Sequence, residues 1–118
     1  MKKIKTSSEK QPNEFSVDKN NGVVTRIESC YDVFSRVETR KDRKTEEEYE
    51  VTVYDFIYAF DNKLIRNRDK LISSLIRLRY SIDDELALLR QKEEKADEYA
   101  IYFAYAESAK KFASEIFA

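Results

Sequence analysis

Three runs of carboxylates have the best claim to chemistry in this chain: Glu46-Glu47-Glu48, Asp83-Asp84-Glu85 and Glu93-Glu94. Carboxylates alone can build an all-oxygen Mg²⁺ or Ca²⁺ site, but none of these runs has the spaced, glycine-containing loop of a calcium hand. Acid in the first turn of a helix and solvated surface account for them. The 118 residues contain no His, so Ser–His and Cys–His nucleophiles and His-ligated metals are excluded. The one Cys, Cys30, falls mid-strand with no base near it in sequence and reads as a small core or interface residue. One Gly leaves no glycine-rich phosphate cradle. A non-enzymatic protein without cofactor or metal is therefore expected.

Basic side chains offer a second chemistry. Arg40, Lys41, Arg43 and Lys44 gather where a hairpin should turn, and a basic two-stranded ribbon can enter a major groove. They run straight into Glu46-Glu47-Glu48, however, and the acidic stretch from Asp83 to Glu98 balances the Arg- and Lys-bearing helix before it. The formal charge of −1, from 22 basic and 23 acidic residues, exerts no global pull on phosphate. Nucleic acid thus ranks below protein as a partner. Eight Tyr and seven Phe concentrate on the second long strand and the last helix, and Tyr suits half-buried contact surfaces. Tyr49, Tyr54 and Tyr58 on that strand and Phe117 at the apolar C-terminus complete the interaction candidates.

These groups need elements to position them. Residues 1–13 are polar and basic, end near Pro12 and read as a mobile tail. Phe15-Ser16-Val17 is a candidate short strand, and Asn20-Asn21-Gly22 supplies the positive-φ positions of a tight turn. From Val23 to Arg40 the pattern has period two, one face apolar and one mostly charged. After the charged turn Lys41–Thr45, the run from Glu48 to Phe60 is β-branched and aromatic. Folding about Arg43 pairs Val37 with Tyr49, Val33 with Val53 and Ser29 with Ile57. Arg40 then meets Glu46, Arg36 meets Glu50 and Cys30 meets Phe56. The tip of this hairpin should project, with its base covered on both sides.

Beyond Phe60 the period becomes helical. A helix opening at Asp61 carries Leu64, Leu71, Ile72, Leu75 and Leu78, and breaks at Tyr80-Ser81. Ser81 with Asp84 forms a capping box for a second helix, whose narrow apolar face is Ile82, Leu86 and Leu89. A last helix carries Tyr99, Tyr102, Phe103, Ala106, Ala109, Phe112, Ala113 and Ile116. The expected fold is α+β: a long N-terminal antiparallel hairpin (14–60) with a possible short third strand, then a three-helix part (61–118) packed on its base, in one domain. The expected core is Val33, Val53, Ile57, Phe60, Leu64, Leu71, Ile72, Leu75, Leu86, Leu89, Tyr99, Phe103 and Phe112. The basic start leads into no apolar run, so no signal peptide is expected, and no stretch approaches the ~20 apolar residues of a membrane span. A lone Cys rules out an internal disulfide and points to a reducing compartment.

The segment Leu75-Ile76-Arg77-Leu78-Arg79-Tyr80-Ser81-Ile82-Asp83-Asp84-Glu85-Leu86-Ala87-Leu88-Leu89-Arg90-Gln91, followed by Glu98-Tyr99 and the stretch from Tyr102 to Ala109-Lys110, carries a resemblance. It resembles the helical C-terminal part of small virion-associated or accessory proteins of Bacteroidales phages and prophages. The resemblance implies a phage context, in the virion or the host cytoplasm, and carries no site residues with it. The leading expectation is an oligomeric structural protein contacting neighbouring phage subunits through its hairpin and aromatic faces. The alternative is a small phage-encoded inhibitor or regulator that binds a host protein or a nucleic acid through the hairpin tip.

Overall fold

A computed structural model describes residues 1–118. Its elements are β1 (Lys2–Ser8), β2 (Phe15–Asn20), β3 (Val23–Lys41), β4 (Glu48–Ile65), α1 (Arg68–Arg77), α2 (Ile82–Arg90) and α3 (Ala96–Ile116). The coarse class is α+β: an antiparallel sheet of order β1-β4-β3-β2 with the helices C-terminal to it. The molecule measures 54 Å along its longest axis and 23 Å along its shortest, the latter matching a sheet with one layer of helices.

The sheet holds more than a hairpin. Residues expected to form a mobile tail instead build β1, which pairs with β4 from Lys2↔Phe60 to Ser8↔Tyr54. Alternation explains this strand: Lys3, Lys5 and Ser7 face one way and Ile4, Thr6 and Ser8 the other, on an edge where charge is tolerated. The short strand foreseen at Phe15 is β2, on the opposite edge. Asn21 and Gly22 join it to β3 with φ of 52° and 78°, the two consecutive positive values that a tight hairpin turn demands.

The long hairpin closes later than expected. Asp42 Oδ1 accepts from the Lys44 and Thr45 backbones at 2.8 and 3.4 Å, and Glu46 takes a φ of 57°. This side-chain-capped loop spans Asp42–Glu47 and centres beyond Arg43. Val37 consequently pairs with Thr52 and Arg36 with Val53, rather than with Tyr49 and Glu50, and Arg40 meets Tyr49 rather than Glu46. An extra residue in β3 between Tyr31 and Phe34, with Asp32 at φ 52°, then shifts the register, so Ser29 meets Ala59 and Cys30 meets Tyr58. Val33 lies in this bulge and is exposed, not core.

β4 continues through Asp61 to Ile65 because β3 is long enough to keep pairing with it there. The first helix therefore starts at Arg68, where Asn67 Oδ1 accepts from Lys70 N at 2.9 Å. Leu64 is left on an exposed strand end. The capping box of Ser81 and Asp84 opens α2 as anticipated.

Helices cover one sheet face only, not both. Val24, Ile27, Tyr31, Ala59, Ile65 and Phe15 pack there against Leu71, Leu75, Leu78 and the α3 stripe of Tyr102, Tyr105, Ala106, Ala109 and Ala113. The small residues let α3 approach α1 closely. Among the expected core residues, Val53, Leu71 and Leu75 are buried, while Ile57, Phe60, Ile72, Tyr99 and Phe112 are half-buried. Leu86 and Leu89 are exposed because α2 turns Glu85 and Leu88 inward instead, and Phe103 is exposed on α3. Glu85 accepts from Arg77 Nη2 at 2.7 Å and from the Tyr102 hydroxyl. Those two donors hold the Glu85 carboxyl below its ordinary range although burial alone would raise it, and burial with this bond lifts the Tyr102 phenol.

Candidate interaction surface

The strand lengths build the surface. β1 stops pairing at Tyr54 and β2 begins at Ser29, so β3 from Val33 to Lys41 and β4 from Glu48 to Val53 continue as a two-stranded ribbon with no strand on either side. The backbone groups on the outer edges of such a ribbon are unpaired.

One ribbon face is laced by charge. Arg36 donates to Asp55 at 2.8 Å and to Glu38 at 2.6 Å, and Arg40 contacts Glu38 at 3.4 Å and Glu9. Hydrogen bonds from Arg36 and then Ser7 depress the Asp55 carboxyl, and bonds from Arg36 and Arg40 depress Glu38. Beneath this network Val53 is 4% exposed. Apolar side chains elsewhere on the ribbon stay in water: Phe34 is 70% exposed, Val37 64% and Tyr49 49%. Phe34 also borders a cavity of about 500 Å³ at the bulge, with Lys5, Ser7, Asp32, Asp55 and Ile57.

The sheet face away from the helices carries a second cluster. Arg26 lies 4.2 Å from the Phe60 ring centre and donates to the Tyr58 hydroxyl at 3.1 Å and to Glu28 at 2.9 Å. Tyr58 and Phe60 stack at 5.3 Å. The link from β1 to β2 passes over this face, where Pro12 and Asn13 line a cavity of about 320 Å³ with Cys30, Phe56 and Tyr58. Burial raises the Cys30 thiol, which leaves it less nucleophilic.

A third cavity, about 390 Å³, lies between the bulge and the start of α2 and α3, lined by Arg79, Tyr80, Asp84, Lys95 and Glu98 among others. Its most buried cation is already engaged. Arg79 pairs with Asp32 at 3.0 Å and sits 4.8, 5.0 and 5.4 Å from the Tyr31, Tyr105 and Tyr80 ring centres, so it rivets the bulge to the helices. No three His, Cys, Asp or Glu side chains converge as metal ligands would. No helix is long and apolar enough to cross a membrane.

The eight candidate residues do not form one site. Arg40, Lys41, Arg43, Lys44 and Tyr49 share the ribbon tip, but Arg40 is tied to Glu9 and Glu38 while Lys41, Arg43 and Lys44 make no ion pair. Tyr54 and Tyr58 lie on the sheet face away from the helices, half-buried. Phe117 packs half-buried against the helix-side core, its ring 4.8 Å from Lys19 Nζ, so the C-terminus docks on its own β2. Sequence reasoning did not place Phe34, Arg36, Val37 and Glu38 among the interaction candidates. Their signal was strand length, since β3 outruns every segment able to flank it. No protein-family model matches the sequence, and no curated protein or solved structure shows significant similarity to it.

Proposed function

We propose that this chain is a non-enzymatic, oligomeric interaction protein that uses its projecting β3–β4 ribbon to contact neighbouring subunits. The observation that carries the reading is the ribbon itself: a two-stranded stretch with free edges and exposed Phe34, Val37 and Tyr49. An isolated two-stranded ribbon is marginally stable in water, and a further strand on its edge gives it what it lacks. The setting is a phage particle, the context implied by the resemblance over Leu75–Lys110. Light scattering of the full-length chain across a concentration range tests this, with a defined oligomer expected to persist on dilution. A rigid, monodisperse monomer at micromolar concentration would overturn it.

The unpaired cations Lys41, Arg43 and Lys44 favour a second reading, a small inhibitor or regulator whose tip docks on a host protein or a nucleic acid. Salt separates the two partners. Binding through phosphates falls steeply with ionic strength because counterions are released, whereas apolar packing does not.

A further inference from the structure

We propose that the outer edge of β3 between Val33 and Lys41 pairs antiparallel with the same edge of a second copy, with Val37 on the two-fold axis. This rests on the interaction reading above and names the partner, the edge and the register. A two-fold contact is self-complementary, so each residue must suit its own mirror position. Centred on Val37, the register sets Val37 against Val37 of the second copy and Arg36 against its Glu38. Ser35 falls opposite its Thr39 and Phe34 opposite its Arg40. Each is a favourable cross-strand pair: apolar, ionic, hydroxyl with hydroxyl, and cation over ring. Each of the last three occurs twice.

Neighbouring registers are worse. Because side chains alternate between faces, a two-fold centre falls on a residue, and a shift moves it by whole residues. Centred on Arg36, the edge sets Arg36 against itself. Centred on Glu38, it sets Glu38 against itself and Arg36 against Arg40. Centred on Ser35, it sets Glu38 against Asp32. A centre on Thr39 keeps the charges matched but leaves only Val37 to Lys41 within the strand.

The competing edge is less suited. On β4 the free stretch runs only from Glu48 to Val53, and Glu9 of the same chain reaches across it to Arg40. The β3 edge has no such neighbour: β2 ends its pairing at Ser29, and the last bond on that side runs from Cys30 N to Glu14 O at 3.0 Å. Pairing there would place Phe34 and Val37, now in water, beside apolar or cationic partners, and would turn two marginal ribbons into one continuous sheet.

Single-cysteine variants of the full-length chain test the register, each built on Cys30→Ser. Opposed residues in an antiparallel pair lie within disulfide reach, while residues two positions away do not. Under mild oxidation Val37→Cys should give a covalent dimer by itself. Ser35→Cys and Thr39→Cys should each stay monomeric alone and cross-link when mixed. Circular dichroism confirms that each variant folds. A Val37→Cys chain that stays uncrosslinked while the unmodified protein scatters light as a defined oligomer would refute this edge and leave the interaction reading standing. A strictly monomeric unmodified protein with no cross-link at any position would overturn both. Equal cross-linking at all three positions would mark random collision and also refute the register.

Discussion

Replacing Tyr105 by Phe tests whether one hydroxyl fastens the helices to the sheet. Tyr105 is 1% exposed; its hydroxyl donates to the Leu75 carbonyl at 3.0 Å and accepts from the Ser29 hydroxyl at 2.9 Å. Phe keeps the ring contacts with Phe15, Tyr31 and Tyr80, so no cavity opens beyond one oxygen. The loss is therefore that of stranded polar groups rather than of packing. Leu75 O retains a bond from Leu78 N at 3.2 Å, so it is not orphaned. Ser29, itself 1% exposed, is left with no partner. One buried unsatisfied hydroxyl costs roughly 1–2 kcal/mol, well below the roughly 3–5 kcal/mol of truncation to Ala. Urea unfolding should show a lower midpoint with an unchanged slope.

The decisive comparison is Tyr105→Phe with Ser29→Ala. Ser29→Ala alone should cost less than Tyr105→Phe, since Tyr105 still donates to Leu75. The double variant removes the orphan and should be more stable than the sum of the singles by at least about 0.5 kcal/mol. Alkaline unfolding supplies a second readout. Burial raises the Tyr105 phenol above its ordinary value of 10.0, so the neutral form is favoured in the folded state. The associated stability is fully present below pH ~10 and is lost as pH rises toward the folded value, because the unfolded chain ionises first. Tyr105→Phe should flatten that alkaline limb. A Tyr105→Phe protein within about 0.3 kcal/mol of the parent, or strictly additive singles, would refute the reasoning.

Glu85→Gln should lose roughly 1–2 kcal/mol at neutral pH, because it weakens charge-assisted bonds from Arg77 and Tyr102. The parent's Glu85 is depressed below 4.5, so its contribution is present above that pH and disappears as pH falls through the folded value. Thermal melts between about pH 6 and 2 should show a shallower acid limb for the variant, and identical limbs would sink the assignment. Hydrogen exchange should find protected amides within Lys2–Ser8 and in the Tyr54–Phe60 stretch that pairs with them. Exchange of β1 at the rate of free peptide would return residues 1–13 to a mobile tail.

What was legible in the sequence follows from which forces act locally. The Asn21-Gly22 turn, the Ser81–Asp84 capping box and the break at Tyr80 rest on backbone chemistry within a few residues, and each stands where the residues placed it. The long strands were equally readable, since period two persists through β3. Their pairing was not, because register depends on where the loop closes and on extra residues. Asp42 capping a longer loop and Asp32 entering the left-handed region together rewrote every cross-strand partner. Strand β1 was hidden for a different reason. Lys3 and Lys5 look like a solvated tail until an edge strand is available, and then their ammonium groups reach water while Lys3 also donates to the Arg79 carbonyl at 3.3 Å. The same logic governs the helix faces. Ile82, Leu86 and Leu89 form a regular apolar stripe, yet one carboxylate with two donors, Glu85 between Arg77 and Tyr102, turned α2 the other way. A half-buried charge with both partners in place outweighs leaving Ile82, Leu86 and Leu89 exposed, whereas the same charge stranded by one missing partner would not. The interaction surface was the least legible part. Nothing in the composition of Phe34–Glu38 separates it from the rest of β3. What distinguishes it is that no flanking strand reaches it: strand length implied a projecting tip, but where the free edges begin is set by where β1 and β2 stop.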